Sequence, residues 1–171
     1  SDVGTLTIAV NATDSGSLSV TDTFALAIQN VNDAPTLASP VADQTAAEDA
    51  PFSIQAPANT FADEDLMYGD ILTYNATLAD GSPLPTWLSF TPTTRTFSGM
   101  PDDAQVGTFD LRVTATDTGN LSISDVFALT VTNVNEAPTV VAPLADQQAT
   151  QGAVFNLVVP ATTFADVDPG D

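Results

Sequence analysis

A long internal repeat constrains this chain more than any other feature. The segment "GTLTIAVNATDSGSLSVTDTFALAIQNVNDAPTLASPVADQ" from Gly4 returns as "GTFDLRVTATDTGNLSISDVFALTVTNVNEAPTVVAPLADQ" from Gly107, and "TFADED" at Thr60 returns as "TFADVD" at Thr163. The period is about 103 residues, the size of one sandwich domain, and roughly half of the paired positions are identical, as in a tandem array. Read from one repeat point to the next, residues 34–135 form one complete unit. Residues 1–33 carry the closing part of an upstream unit and residues 136–171 the opening part of a downstream one. Neither partial unit contains the central stretch from Ile71 to Met100, so neither is expected to bury a core alone; each is left to fray or to complement a neighbouring chain.

Within the complete unit the period is two. In "GTFDLRVTATD" Phe109, Leu111, Val113 and Ala115 share one face and Asp110, Arg112, Thr114 and Thr116 the other, as in a half-buried antiparallel strand. Phe127, Leu129 and Val131 form the inner row of "SDVFALTVTN", and "FSIQA" from Phe52 and "ILTYNATL" from Ile71 read as further strands. Val, Ile, Thr and Phe dominate these runs, with "ADGSP", "DTGN" and "NEAP" as turns between them. Six or seven short strands in about 100 residues predict an all-β, immunoglobulin-like antiparallel sandwich.

Composition narrows the chemistry. The 171 residues include no Cys and no His, and 22 Asp and Glu face only Arg95 and Arg112, for a formal net charge of -20. Disulfides, thiol or imidazole nucleophiles and the nitrogen and sulfur ligands of zinc, copper or iron are excluded, which leaves oxygen ligands and hence calcium or magnesium. The charge argues against nucleic acid and anionic lipid as partners. A hydrophobic content of 43% separates the chain from a disordered acidic tail. No apolar run approaches the roughly 20 residues of a membrane helix, and the opening "SDVGTL" does not read as a signal peptide, so an internal fragment is expected. A Lys-free acidic surface also fits solubility in saline surroundings.

The carboxylates cluster at strand ends: Asp63 and Asp65 in "FADED", Asp70 in "YGD", Asp117 in "ATDTG", and Asn30, Asn32 and Asp33 in "NVNDAP". In a sandwich, strand ends gather at two poles, and a linker lies beside a pole of its neighbour. An Asp-x-Asp loop can aim two carboxylates at one point, with Asn side chains and loop carbonyls completing the six to eight oxygens calcium takes at about 2.3–2.6 Å. Without a cation such a cluster repels itself.

"TATDTGNLSISDVFALTVTNVNEAP" resembles the end of a cadherin repeat, with its Asp loop before the last strand and its acidic Asn-rich linker after it, and "FADED" resembles the family's Asp-Ala-Asp loop. "LPTWLSFTPTTRTFSGMP" is similar to the dystroglycan-type cadherin-like repeats of bacterial surface proteins and secreted polysaccharide-degrading enzymes. The resemblance covers the complete unit. It implies a calcium site at a first junction from Asn30, Asn32, Asp33, Asp63, Asp65 and Asp117, and one at a second junction from Asn133, Asn135, Glu136, Asp166 and Asp168, with Asp14 serving an upstream one. Asn30 and Asn133 stand where cadherins often have Asp, and Glu136 replaces the linker Asp. The glutamate of the cadherin "Leu-Asp-Arg-Glu" loop has no evident counterpart, so fewer ions per junction are expected.

Blander readings stand beside these. The Asp and Asn residues also suit turns; Asp22 and Asp125 can cap loops, and Glu48 and Asp49 read as surface charge. Trp87, among Leu84, Leu88 and Phe90, is a core residue or else a sugar-stacking platform. Asp63/Asp65 and Asp102/Asp103 lack the separation and opposed environments of a glycosidase pair, so no catalysis is expected. Asn11, Asn75 and Asn120 open Asn-x-Ser/Thr acceptor patterns that arise often by chance in such a sequence. The resulting expectation is an extracellular or cell-surface spacer stiffened by calcium, its partners the neighbouring repeats, with self-association into a filament through the incomplete units. The alternatives are a carbohydrate-binding module and a homophilic adhesion domain.

Overall fold

The computed structural model describes residues 3–168. In chain order the strands are β1 (Gly4–Thr13), β2 (Ser19–Ile28), β3 (Thr36–Leu37), β4 (Gln44–Ala47), β5 (Phe52–Gln55), β6 (Phe61–Ala62), β7 (Thr73–Leu78), β8 (Leu88–Thr91), β9 (Thr96–Gly99), β10 (Gly107–Thr116), β11 (Ser122–Thr132), β12 (Thr139–Val140) and β13 (Phe164–Ala165). Short 3-10 turns cover Glu64–Tyr68 and Asp103–Gln105. The complete unit is a sandwich of the immunoglobulin and cadherin type. One sheet runs β4-β11-β10-β7, with β4 parallel to β11 and the other pairs antiparallel; the facing sheet runs β5-β9-β8.

The period-two rows meet between these sheets. Leu111, Val113 and Ala115 from β10 and Phe127 and Leu129 from β11 form one buried cluster with Phe97 of β9 and Leu88 of β8, and Val131 of β11 is buried as well. Phe97 packs its ring 4.7 Å from Phe90 and 5.5 Å from Phe127. Trp87 lies half-buried against this core, 6.1 Å from Phe52 and 5.3 Å from Phe109. Gly99 makes room for it: a Cβ there would stand 2.4 Å from the Trp87 carbonyl oxygen and 3.2 Å from its ring. That contact explains why "TFSGMP" has a glycine at the end of β9.

Strand β7 starts later than its apolar pattern suggests. Asp70 Oδ1 accepts the Ile71 N–H, so the chain turns there and Ile71 and Leu72 fall outside the strand. Asp125 is more than a loop cap. It is buried in β11, and its Oδ2 accepts the Val41 N–H at 2.6 Å, holding the segment before β4 against the sheet. Asp22, its counterpart in β2, bonds only the Thr23 N–H that follows it.

Hairpin β1-β2 pairs Gly4 with Ile28, and β10-β11 pairs Gly107 with Val131, the same register one repeat apart. The surroundings differ. Leu26 and Phe24 are 46% and 52% exposed, whereas Leu129 and Phe127, their counterparts, are 0% and 2% exposed. In the trailing segment β12 pairs with β13 as β3 pairs with β6, and residues 142–162 are exposed and form no strand.

Candidate metal centre

The leading pole of the complete unit is built by local bonds that orient carboxylates. Asp63 caps the 3-10 turn Glu64–Tyr68, its Oδ1 accepting the Asp65 N–H at 2.8 Å. Gly69, at φ 101°, ends the turn and delivers Asp70, whose Oδ1 accepts the backbone N–H of Thr118 at 3.0 Å and also its hydroxyl. Asp117 opens the β10-β11 loop; its Oδ1 accepts the Leu121 N–H at 2.8 Å. The turn-forming role is therefore real, but it occupies one oxygen of each carboxylate. The second oxygens of Asp63 and Asp70 are buried without a hydrogen-bond partner, and Asp63, Asp70 and Asp117 each bring a carboxylate oxygen within 4.8 Å of the others.

Asp65 has a different role from its neighbours. It is buried, and both its oxygens are taken by the linker: Asn30 Nδ2 donates to Oδ1 at 2.8 Å and the Asp33 N–H donates to Oδ2. Asn32 Nδ2 donates to Asp117 Oδ2 at 2.9 Å. The predicted residues thus divide into an inward group of Asp63, Asp70 and Asp117 and a linker clasp of Asn30, Asn32, the Asp33 backbone and Asp65. Gly119 leaves space for Asn32, since a Cβ there would stand 2.5 Å from Asn32 Nδ2. We expect Gly119→Ala to displace Asn32 and weaken divalent-ion binding about tenfold, the equivalent of one lost hydrogen bond to a charged group, as read by isothermal titration.

The trailing pole departs from the sequence expectation. Glu48, read above as surface charge, is 1% exposed. Its N–H donates to Thr132 O at 3.1 Å, and its Oε1 accepts the Val134 N–H at 2.6 Å. Glu48, Asp103 and the linker Glu136 present oxygens within 4.8 Å of one another. Glu48 Oε2, Asp103 Oδ1 and Glu136 Oε2 are all buried without a partner. Glu136 was an expected ligand of the second junction, whereas Glu48 and Asp103 were not. Asp49 does remain exposed. The only hint in the sequence was acid spacing, because residues 48, 103 and 136 come from three separate segments.

Glu136 also faces forward. Its N–H donates to Asp168 Oδ2 at 3.0 Å, Asn133 Nδ2 donates to Asp168 Oδ1 at 3.0 Å, and the Asp168 N–H donates to Asp166 Oδ1 at 3.1 Å, the leading-pole clasp one repeat on. Asn135 Nδ2 donates only to the Glu136 carbonyl. In sequence, Gly170-Asp171 matches Gly69-Asp70, but it lies outside the described residues.

Electrostatics reflect the crowding. Desolvation, then the shared hydrogen bond and charge of Asp168 and the charges of Glu48 and Asp103, push Glu136 up to about 7. For Asp168 desolvation acts upward, but the hydrogen bonds from Asn133, Glu136 and Asp166 together hold it below its ordinary value. The Thr118 hydroxyl bond holds Asp70 low against desolvation. A raised Glu136 means that the folded state takes up a proton the unfolded chain releases at about 4.5. That stabilising contribution is complete below about 4.5 and is lost as pH rises through about 7. In chelator the melting temperature is therefore expected to be higher at pH 5 than at pH 8, and Glu136→Gln to flatten the difference in parallel melts.

Buried, partnerless carboxylate oxygens, two at the leading pole and three at the trailing one, are costly unless a cation meets them. With oxygen the only donor atom, the sets fit a hard divalent cation such as calcium.

The complete unit matches the family described as "Putative Ig domain" over residues 34–132, and the chain belongs to that family. Its structure is similar to the protocadherin gammaB7 EC3-6 cis-dimer structure (TM-score 0.60, 21% identity, covering 98% of this chain and 44% of that one). It is also similar to human mucin-like protocadherin EC1-2 (TM-score 0.55, 16% identity, 77% of this chain and 69% of that one). These likenesses establish a cadherin-like sandwich fold. An endo-fucoidan hydrolase of glycoside hydrolase family 107 matches at TM-score 0.48 and 21% identity over 78% of this chain, which spans 19% of that enzyme's length. No curated protein matches the chain. No helix among the described residues is long and apolar enough to cross a membrane.

Proposed function

We propose that this chain is a calcium-stiffened spacer from an extracellular, surface-exposed repeat protein, in which residues 34–135 are one full unit between two partial ones. The observation that carries the reading is the double engagement of Glu136. Its carboxylate joins Glu48 and Asp103 of the unit it leaves, while its N–H clasps Asp168 of the segment it enters. An ion bound there ties both sides of the linker through one residue. Each pole brings three carboxylates together, Glu48, Asp103 and Glu136 at the trailing one and Asp63, Asp70 and Asp117 at the leading one. Extracellular calcium modules bind at about 10⁻⁴–10⁻³ M, so outside calcium fills such sites and cytosolic calcium does not.

Small-angle scattering with and without calcium tests this reading. The expected result is a longer, narrower distribution of interatomic distances with the ion; identical distributions would remove the mechanism. A carbohydrate-binding role is disfavoured because Trp87 is half-buried, with its ring packed near Phe52 and Phe109.

A further inference from the structure

We infer that the groove between the Glu64–Tyr68 turn and the β8-β9 turn binds a peptide segment that carries a carboxylate beside an apolar side chain. The groove encloses about 530 Å³. Its walls are Phe61, Leu66, Ile71, Leu72 and Tyr74, with Arg95 at one end. Arg95 is one of only two cations in a chain of net charge -20, and it is held in place by backbone and ring contacts. Its residue sits at φ 55°, its carbonyl accepts the Ala56 N–H at 3.0 Å, its Nε reaches back to the Ala56 carbonyl at 3.4 Å, and its guanidinium carbon stands 5.4 Å from the centre of the Tyr74 ring.

Among the described residues no carboxylate stands within 4.0 Å of that guanidinium. Asp70 shares the groove wall, yet its Oδ1 is committed to Thr118 and Ile71 and its Oδ2 is buried, so it does not neutralise Arg95. A guanidinium already ordered over an aromatic ring can take a carboxylate in its planar fork at little further entropic cost. The walls carry aliphatic and aromatic carbon more than hydroxyls, which favours an apolar side chain over a sugar ring. An extended polyanion would meet the remaining negative surface, whereas a single carboxylate is screened from it beyond about 8 Å at physiological salt. Leu66 belongs to "DEDLMYGD", which the next repeat shortens to "DVDPGD", so this wall is particular to the complete unit.

The test is an amide NMR titration of the whole chain at physiological salt, using N-acetylphenylalanine and its neutral analogue N-acetylphenylalaninamide. Shifts are expected at Leu66, Ile71, Leu72, Tyr74, Thr93 and Arg95, with the acid binding about tenfold more tightly than the amide. Arg95→Gln should bring the acid to the level of the amide and leave amide binding unchanged, with its melting curve confirming the fold. Equal binding of the two probes by the unaltered chain, shifts centred on residues 4–28, the absence of saturable shifts, or an acid preference surviving in Arg95→Gln would each overturn the proposal.

Discussion

Chelating calcium is expected to lower the melting temperature of the complete unit by about 10 °C or more. Millimolar calcium, about tenfold over a dissociation constant of about 10⁻⁴ M, contributes about 1.4 kcal/mol per site, or close to 3 kcal/mol for the two poles together. Each 1 kcal/mol moves the midpoint of a domain of about 100 residues by roughly 4–8 °C. The structural cause is the set of partnerless oxygens, two at the leading pole and three at the trailing one, which in chelator lose water without gaining a partner. Asp63→Ala combined with Asp65→Ala should mimic chelation at the leading pole by two separate routes. The first substitution removes an inward oxygen; the second frees Asn30 and the Asp33 N–H from their clasp. Scanning calorimetry with chelator and with millimolar calcium measures the effect, and superimposable curves would end the ion reading.

A second large effect is expected at Glu48, with a change of sign. Glu48→Gln keeps the size of the side chain and an oxygen for the Val134 N–H, while removing one of three carboxylates held within 4.8 Å. In chelator the variant should melt several degrees above the unaltered chain, because buried like charges no longer oppose folding. In calcium it should melt below it, losing about 1.4 kcal/mol of ion stabilisation if the trailing site empties. The following repeat already carries Gln151 at the matching position, so the turn accepts the amide. A shift of the same sign in both conditions would mean that Glu48 is a packing residue rather than an ion ligand.

Much of this was legible before any coordinates. The repeat and the period-two rows of β10 and β11 specify a sandwich because one buried face fixes register. The leading-pole acids were legible because they sit in short motifs: Asp63 and Asp65 are two residues apart, and Asp117 follows directly on a strand. Such loops orient their own side chains through local bonds, as Asp63 does with the Asp65 N–H and Asp117 with the Leu121 N–H. What the local pattern could not separate was the work of adjacent residues. Asp65 looked like a partner of Asp63 and turned out to anchor the linker, because its position in the 3-10 turn points both oxygens at Asn30 and Asp33.

The sequence by itself determined the repeat, the all-β sandwich, the oxygen-only chemistry and the acidic leading pole, since each depends on periodicity, composition or neighbours in the chain. Only the tertiary structure decided that Glu48 is buried, that Asp103 and Glu136 meet it, that Trp87 packs against the core, and that Arg95 stands above Tyr74 without an acidic partner among the described residues. Those facts depend on which distant segments the closing of two sheets brings to one pole. The repeat therefore announced the junction, and the fold chose the acids that complete it.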